Sequence, residues 1–115
     1  MNTFTIAAVQ MKIAPDRETN LAKAEAAIAE AAKRGAQVVC LPELFTGYYF
    51  CQQEDVALFD LAEPIPGPSE ERLAAAAKKN GVVVVGSLFE KRMAGVYHNT
   101  ATVHSATGEL LGIYR

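Results

Sequence analysis

Residues 82–89, VVVVGSLF, place apolar side chains at odd and even positions alike, so a strand built from them has no face to offer water. A sheet covered on both sides accepts such a strand, and accepts it at the centre. The demand is severe for 115 residues, which suffice for one small domain (1–115) burying roughly two-thirds of its unfolded surface. Half of the residues are hydrophobic and 21% charged, so the core can be built and a disordered or low-complexity chain is excluded.

The preceding segments supply neighbours for that strand. FTIAAVQ (Phe4 to Gln10) reads as a first strand, and Asp16 as the N-cap of a helix whose apolar residues Leu21, Ala24, Ile28 and Ala31 recur at spacings of three and four. Lys33 and Arg34 occupy its last turn and Gly35 ends it. QVVCL predicts a second strand, with Cys40 as a small core residue. EDVALFDLA (54–62) predicts a short helix or turn, and EPIPGPS a rigid connector inside the same domain. Ser69 is the expected cap of the next helix, with Glu70 and Glu71 in its first turn, Lys78 and Lys79 in its last, and Gly81 beyond.

After the central strand the pattern becomes a meander. VYHNTATVH alternates, with Tyr97, Asn99, Ala101 and Val103 on one face and His98, Thr100, Thr102 and His104 on the other. SATGE is a hairpin turn and LLGIYR the return strand, while the charges of EKR (90–92) predict a solvated hairpin connection. The order β-α-β-(α)-α-β-β-β describes an α/β fold: a mixed sheet, parallel at one end and antiparallel at the other, with helices on one face. The second face then requires a second layer.

Several function classes fall away. A net charge of −2 and a pI near 5.6 give no electrostatic footprint for nucleic acid or an anionic membrane. MNTFTIAAVQ has no basic n-region, apolar h-region or cleavage site, and Cys40 and Cys51 are two thiols without secretory context, so a cytoplasmic protein with reduced thiols is expected. His98 and His104 lie roughly 20 Å apart along one strand, too far to share a metal ion, and are expected at solvent or an interface. The glycines around VVVV do not have the spacing of a phosphate loop.

One carboxylate stands out. In LPELFTGYYFCQ (41–52), Glu43 directly follows Pro42 at the end of an apolar strand. Such a residue is either solvated or salt-bridged, or it is delivered to the crevice at the carboxyl ends of parallel strands. Tyr48, Tyr49 and Phe50 follow closely enough to line a pocket beside it with low-dielectric walls, and Glu54 and Asp55 either add a counter-charge there or mark a helix N-terminus. Cys51 is in the same loop without a neighbouring cation to activate it, which favours a lining or packing role over a nucleophilic one.

IAAVQM, GAQVVCLPELF, GPSEERLAAAAKKNGVVVVGSLFEK and YHNTATVHSATGELLGIYR occur in an order that resembles the N-terminal half of the nitrilase, or carbon–nitrogen hydrolase, superfamily, across essentially the whole chain. ELF, YYFCQ, FEK and YHNTATV are most similar to its N-carbamoylputrescine-hydrolysing branch. The resemblance implies half of a four-layer α-β-β-α sandwich, completed by the remainder of the hydrolase domain, in subunits that form homo-oligomers without a cofactor. It implies a Glu–Lys–Cys triad in which Glu43 is the general base. The Lys is expected directly after Tyr114–Arg115 and the Cys further on, so the 115 residues carry one triad member and are expected to be inactive alone. The implied substrate is a linear ureido or amide compound, N-carbamoylputrescine first, with an ω-amidase, a β-ureidopropionase-like enzyme or a non-catalytic assembly module as alternatives.

Overall fold

In the computed structural model, which describes residues 2–115, Asp16 caps the first helix. Its carboxylate accepts the Thr19 hydroxyl and the Thr19 backbone N–H, both at 2.7 Å, and these bonds hold it below the usual carboxylate range. Helix α1 (Arg17–Lys33) buries Leu21, Ala24, Ile28 and Ala31 along one stripe, as their spacing predicts.

Strand β1 (Ile6–Ala8) pairs in parallel with β2 (Val38–Cys40), and β2 in parallel with β3 (Val83–Met93). β3 turns through Ala94 and Gly95 into the antiparallel β4 (Val96–His104), and β5 (Leu110–Tyr114) returns beside β4. The sheet order β1-β2-β3-β4-β5 puts the doubly apolar strand at the centre. β1 is shorter than Phe4–Gln10 because its one partner, β2, is itself short. Single bonds from Gln37 N–H to Thr5 O (2.8 Å) and Val9 N–H to Cys40 O (2.9 Å) extend the pairing at either end.

Helix α2 (Pro68–Asn80) begins before the expected Ser69 cap. Gly67 is the N-cap and Pro68 takes the first helical position, where its fixed φ suits the helix and its missing N–H is no loss. Ser69 therefore falls inside the first turn, and its hydroxyl donates to Glu63. Gly81 ends the helix in the left-handed conformation at φ +64°.

Both helices cover the same face of the sheet, where Ile28, Leu73 and Ala77 pack with Val39, Val84 and Leu88. A Cβ at Gly86 would lie 2.5 Å from Leu73 Cδ1, so the glycine is what lets α2 settle on β3. The opposite face carries a row formed by Ala8, Cys40, Val85 and Val103, with Ile6, Val38 and Val83 in the next row. These side chains are half-buried or exposed. Among the described residues, no helix is long and apolar enough to cross a membrane.

Three expectations are corrected by which face the helices cover. Cys40 is exposed on the uncovered face while Val39 points into the core at 0% exposure, because an apolar run does not reveal which alternate set meets the helices. The EKR segment is not a turn: β3 continues to Met93, and alternation puts Glu90 on the same face as Val84 and Leu88, at 1% exposure. There it accepts the Thr100 hydroxyl at 2.6 Å and two N–H groups of Arg115 at 2.8 and 2.7 Å, and the Arg115 bonds hold it below the usual carboxylate range. His104 is not solvent-facing but fully buried under α2, with Nε2 3.1 Å from the Thr102 hydroxyl and Nδ1 3.4 Å from Glu70 Oε1. Burial pushes His104 down and Glu70 up, so both neutral forms are favoured. His98 is half-buried on the same face.

Candidate active site

The loop carrying Glu43 starts where pairing stops. Leu41 N–H still bonds to Val85 O at 3.0 Å, but Pro42 has no N–H to continue the ladder, and the chain leaves the sheet at the carboxyl end of β2. Leu44 follows with φ +49°, a left-handed conformation unusual for a leucine and characteristic of functional loops. Its side chain and that of Phe45 are buried at 4% and 0% exposure. Anchored on both, the loop turns the Glu43 carboxylate outward, where it is exposed.

The carboxylate is held by a polar chain that crosses three elements. Asn99 Nδ2 on β4 donates to Glu43 Oε1 at 2.6 Å. The hydroxyl of Ser87 on β3 donates to Asn99 Oδ1 at 3.3 Å and accepts the Leu44 backbone N–H at 3.0 Å. Ser87 thus orients the asparagine amide and fastens the loop that bears its partner. A second fastening comes from α1: Asn20, 0% exposed, donates to Thr46 O at 3.1 Å and to Ala14 O at 2.8 Å, and accepts from Ala14 N–H at 2.8 Å. Three hydrogen bonds satisfy this buried amide while tying the Glu43 loop to the segment before α1.

A cavity of about 1020 Å³ opens beside this loop, and Tyr48, Tyr49 and Phe50 all contribute to its wall. Leu44 and Thr46 belong to the wall too, whereas Glu43 itself does not. The phenol of Tyr49, in this wall, is raised above its ordinary value, first by neighbouring Cys51 and then by the charge of Glu43. Phe50 stacks on Phe89 with centroids 4.2 Å apart, and Phe59 and Tyr97 extend the cluster, their centroids 4.6 Å apart. Of the last three, Phe89 on β3 also lines the cavity, while Phe59 and Tyr97 back it from outside the wall.

Of the two acids expected to add a counter-charge, neither Glu54 nor Asp55 lines the cavity; Asp55 accepts the Ala57 N–H at 2.9 Å and caps the 3₁₀ turn Val56–Leu61. Asp16 and Asp60 are in the wall instead. Cys51 is exposed in the 3₁₀ turn Phe50–Gln52. Asn99, Ser87 and Asn20 escaped notice in the sequence. For Asn99 the usable signal is its place beside Tyr97 on the apolar face of an alternating strand. For Asn20 it is a polar residue on the stripe of Ala24 and Ile28.

An exposed carboxylate at a parallel strand's end, oriented by an amide and bordered by an aromatic cavity, is equipped to take a proton from a reacting group. Residues 5–115 match the carbon–nitrogen hydrolase family. An N-carbamoylputrescine amidase of Solanum lycopersicum is 39% identical over 112 residues, covering 96% of this chain and 37% of the relative. The ω-amidase NIT2 of Mus musculus is 35% identical over 116 residues, covering all of this chain and 40% of the relative. The crystal structure of a carbon–nitrogen hydrolase from Helicobacter pylori G27 superimposes with a TM-score of 0.91 at 33% identity, over 97% of this chain and 39% of that one. The chain thus spans about two-fifths of the length of the proteins it matches.

Proposed function

The chain belongs to the carbon–nitrogen hydrolase family, and from that membership we propose that the whole protein is a thiol-dependent amidase acting on a linear ureido or amide C–N bond, with N-carbamoylputrescine as its substrate. The observation that carries the proposal is Glu43, presented at the end of β2 on a fastened loop and held by Asn99 at 2.6 Å.

In this reading Glu43 is the general base. It takes the proton of the family's cysteine thiol, and the thiolate attacks the ureido carbonyl carbon while the family's lysine ammonium faces the developing oxyanion. The C–N bond to the amide nitrogen breaks, the proton held by Glu43 passes to the leaving ammonia, and a carbamoyl–enzyme thioester remains. Glu43 then deprotonates a water, which attacks the thioester and frees the thiol. The carbamate released breaks down to putrescine and carbon dioxide. Tyr48, Tyr49 and Phe50 line the site that receives the substrate's far end, and the protein works as a cytoplasmic homo-oligomer in polyamine synthesis.

A second reading, an ω-amidase, draws on the mouse relative, whose match spans the entire chain. The two are separated by kcat/KM for N-carbamoylputrescine, N-carbamoyl-β-alanine and a simple ω-amide on one preparation of the full-length protein. Preference for the putrescine derivative supports the first reading; preference for the ω-amide installs the second. Glu43→Gln tests the chemistry common to both, with an expected loss of at least about 10²-fold in kcat, the scale of general-base catalysis. Near-normal turnover by a folded Glu43→Gln protein would return Glu43 to a solvated surface acid.

A further inference from the structure

The hydrogen bonds around Glu43 close a ring whose direction is fixed at one point. Leu44 N–H can only donate, and it donates to Ser87 Oγ at 3.0 Å. With that lone pair taken, the Ser87 hydroxyl hydrogen goes to Asn99 Oδ1, 3.3 Å away and diagonally across the β3–β4 ladder, where Asn99 is opposite Phe89. An amide whose oxygen is so engaged turns its nitrogen the other way, and Asn99 Nδ2 donates to Glu43 Oε1 at 2.6 Å. The peptide between Glu43 and Leu44 completes the ring. Leu44, at φ +49°, is the one left-handed non-glycine residue among those described, and its N–H is the one that starts the chain of donors. The two carboxylate oxygens are left unequal: Oε1 is occupied, whereas Oε2 accepts no hydrogen bond from the described residues.

We infer that Ser87 is a positioning residue for the Glu43 carboxylate, and that it determines which oxygen moves the proton: Oε2, with Oε1 held by Asn99. The inference rests on the proposed amidase reading for the claim that Glu43 transfers a proton. It goes beyond that reading by assigning the transfer to one oxygen, and the choice of oxygen to a residue on another strand that makes no hydrogen bond to Glu43 itself. Without the Ser87 hydroxyl nothing among the described residues holds the Asn99 oxygen. The amide then turns between rotamers, Oε1 is released, and the carboxylate rotates about its last bond, so the reacting oxygen loses its fixed place. The loop itself stays, because Leu44 and Phe45 remain buried and Asn20 still bonds to Thr46 O.

The test uses the full-length protein and whichever ureide or amide it hydrolyses. Ser87→Ala should lower kcat about tenfold and leave KM within about twofold, since the ring orients the carboxylate and does not hold the substrate. Ser87→Cys, which keeps the size but offers only a weak donor, should lose kcat likewise. The double variant Ser87→Ala/Asn99→Ala should be no more than about twofold slower than Asn99→Ala alone, because one residue acts through the other. Wild-type kcat in Ser87→Ala, or losses that multiply in the double variant, overturns the assignment of Ser87. In a crystal structure of the full-length protein the nucleophilic thiol should lie nearer the Glu43 oxygen that Asn99 leaves free; the reverse order overturns the choice of oxygen. If the protein hydrolyses no ureide or amide, the amidase reading fails, and crystal structures of the wild type and Ser87→Ala decide the positioning separately. Movement of Asn99 Nδ2 out of hydrogen-bond distance of Glu43 in the variant supports it, and an unmoved amide overturns it.

Discussion

Asn99 and Glu43 lie 56 positions apart in the chain and meet through a 2.6 Å hydrogen bond, the amide donating to the carboxylate. The contact exists because β4 lies antiparallel to β3, with Phe89 opposite Asn99, and Ser87 on β3 bonds to both Asn99 and the loop bearing Glu43. The carboxylate is therefore aimed by the sheet and not by its own loop alone.

Removing that donor should cost activity with little effect on folding, since Asn99 is exposed. Asn99→Ala in the full-length enzyme is expected to lower kcat by about tenfold, the effect of misaligning a proton-transfer group. Asn99→Asp should be worse, because a second carboxylate replaces a donor with a like charge. Steady-state kinetics alongside circular dichroism separate the two effects; unchanged kcat in Asn99→Ala would show that Glu43 needs no partner.

Asn20 should behave in the opposite way, through stability first. Asn20→Asp keeps the size but cannot donate to Ala14 O and Thr46 O, leaving two carbonyls unpaired around a fully buried site. A loss of about 2–3 kcal/mol is expected for such buried polar groups, read as a fall in the denaturant midpoint. Wild-type stability in Asn20→Asp would mean that these loops are held by apolar contacts alone.

Burial lowers His104 from its ordinary value near 6.5, so folding favours its neutral form. The unfolded chain binds the proton more readily. Stability from this group is therefore complete above about pH 6.5 and is lost as the pH falls from there through the folded value. Glu70 has the opposite sign: raised by burial, its contribution is complete below its ordinary value near 4.5 and is lost as the pH rises through its folded value. Urea unfolding between pH 5 and 8 should show a decline on the acid side in the wild type that His104→Gln flattens. An equal decline in both proteins would assign it to other groups.

Arg115 is the ionic partner of a carboxylate that cannot reach water. Arg115→Met leaves Glu90 buried without its two strongest hydrogen bonds, and the expected loss is about 2 kcal/mol, below the usual figure for a buried pair because the Arg115 side chain is 32% exposed. Glu90 is held below the usual carboxylate range in the folded state, so its contribution is complete above its ordinary value near 4.5 and is lost as the pH falls through the folded value. Replacing both residues, Arg115→Met with Glu90→Leu, should recover part of the loss. Thermal melts of the three proteins at pH 7 would show it, and no recovery would mean that Arg115 acts through packing rather than charge.

Local pattern was enough to establish the elements, the central place of the VVVVGSLF strand, the buried stripe of α1 and the arrival of Glu43 at a strand's end, because each depends on side-chain period and on capping or turn residues close in sequence. What local pattern does not contain is which of two alternating faces the helices cover. That choice follows from how both crossovers return to the sheet, and it exposes Cys40 and buries His104 and Glu90. Nor does a short segment announce partners across long loops. Asn99 for Glu43, Asn20 for Thr46 and Arg115 for Glu90 were selected by strand register and helix docking, since a hydrogen bond forms only where the completed packing brings donor and acceptor within about 3 Å. The carboxylate was readable from one residue and its neighbours; the geometry that makes it a candidate base belongs to the folded sheet.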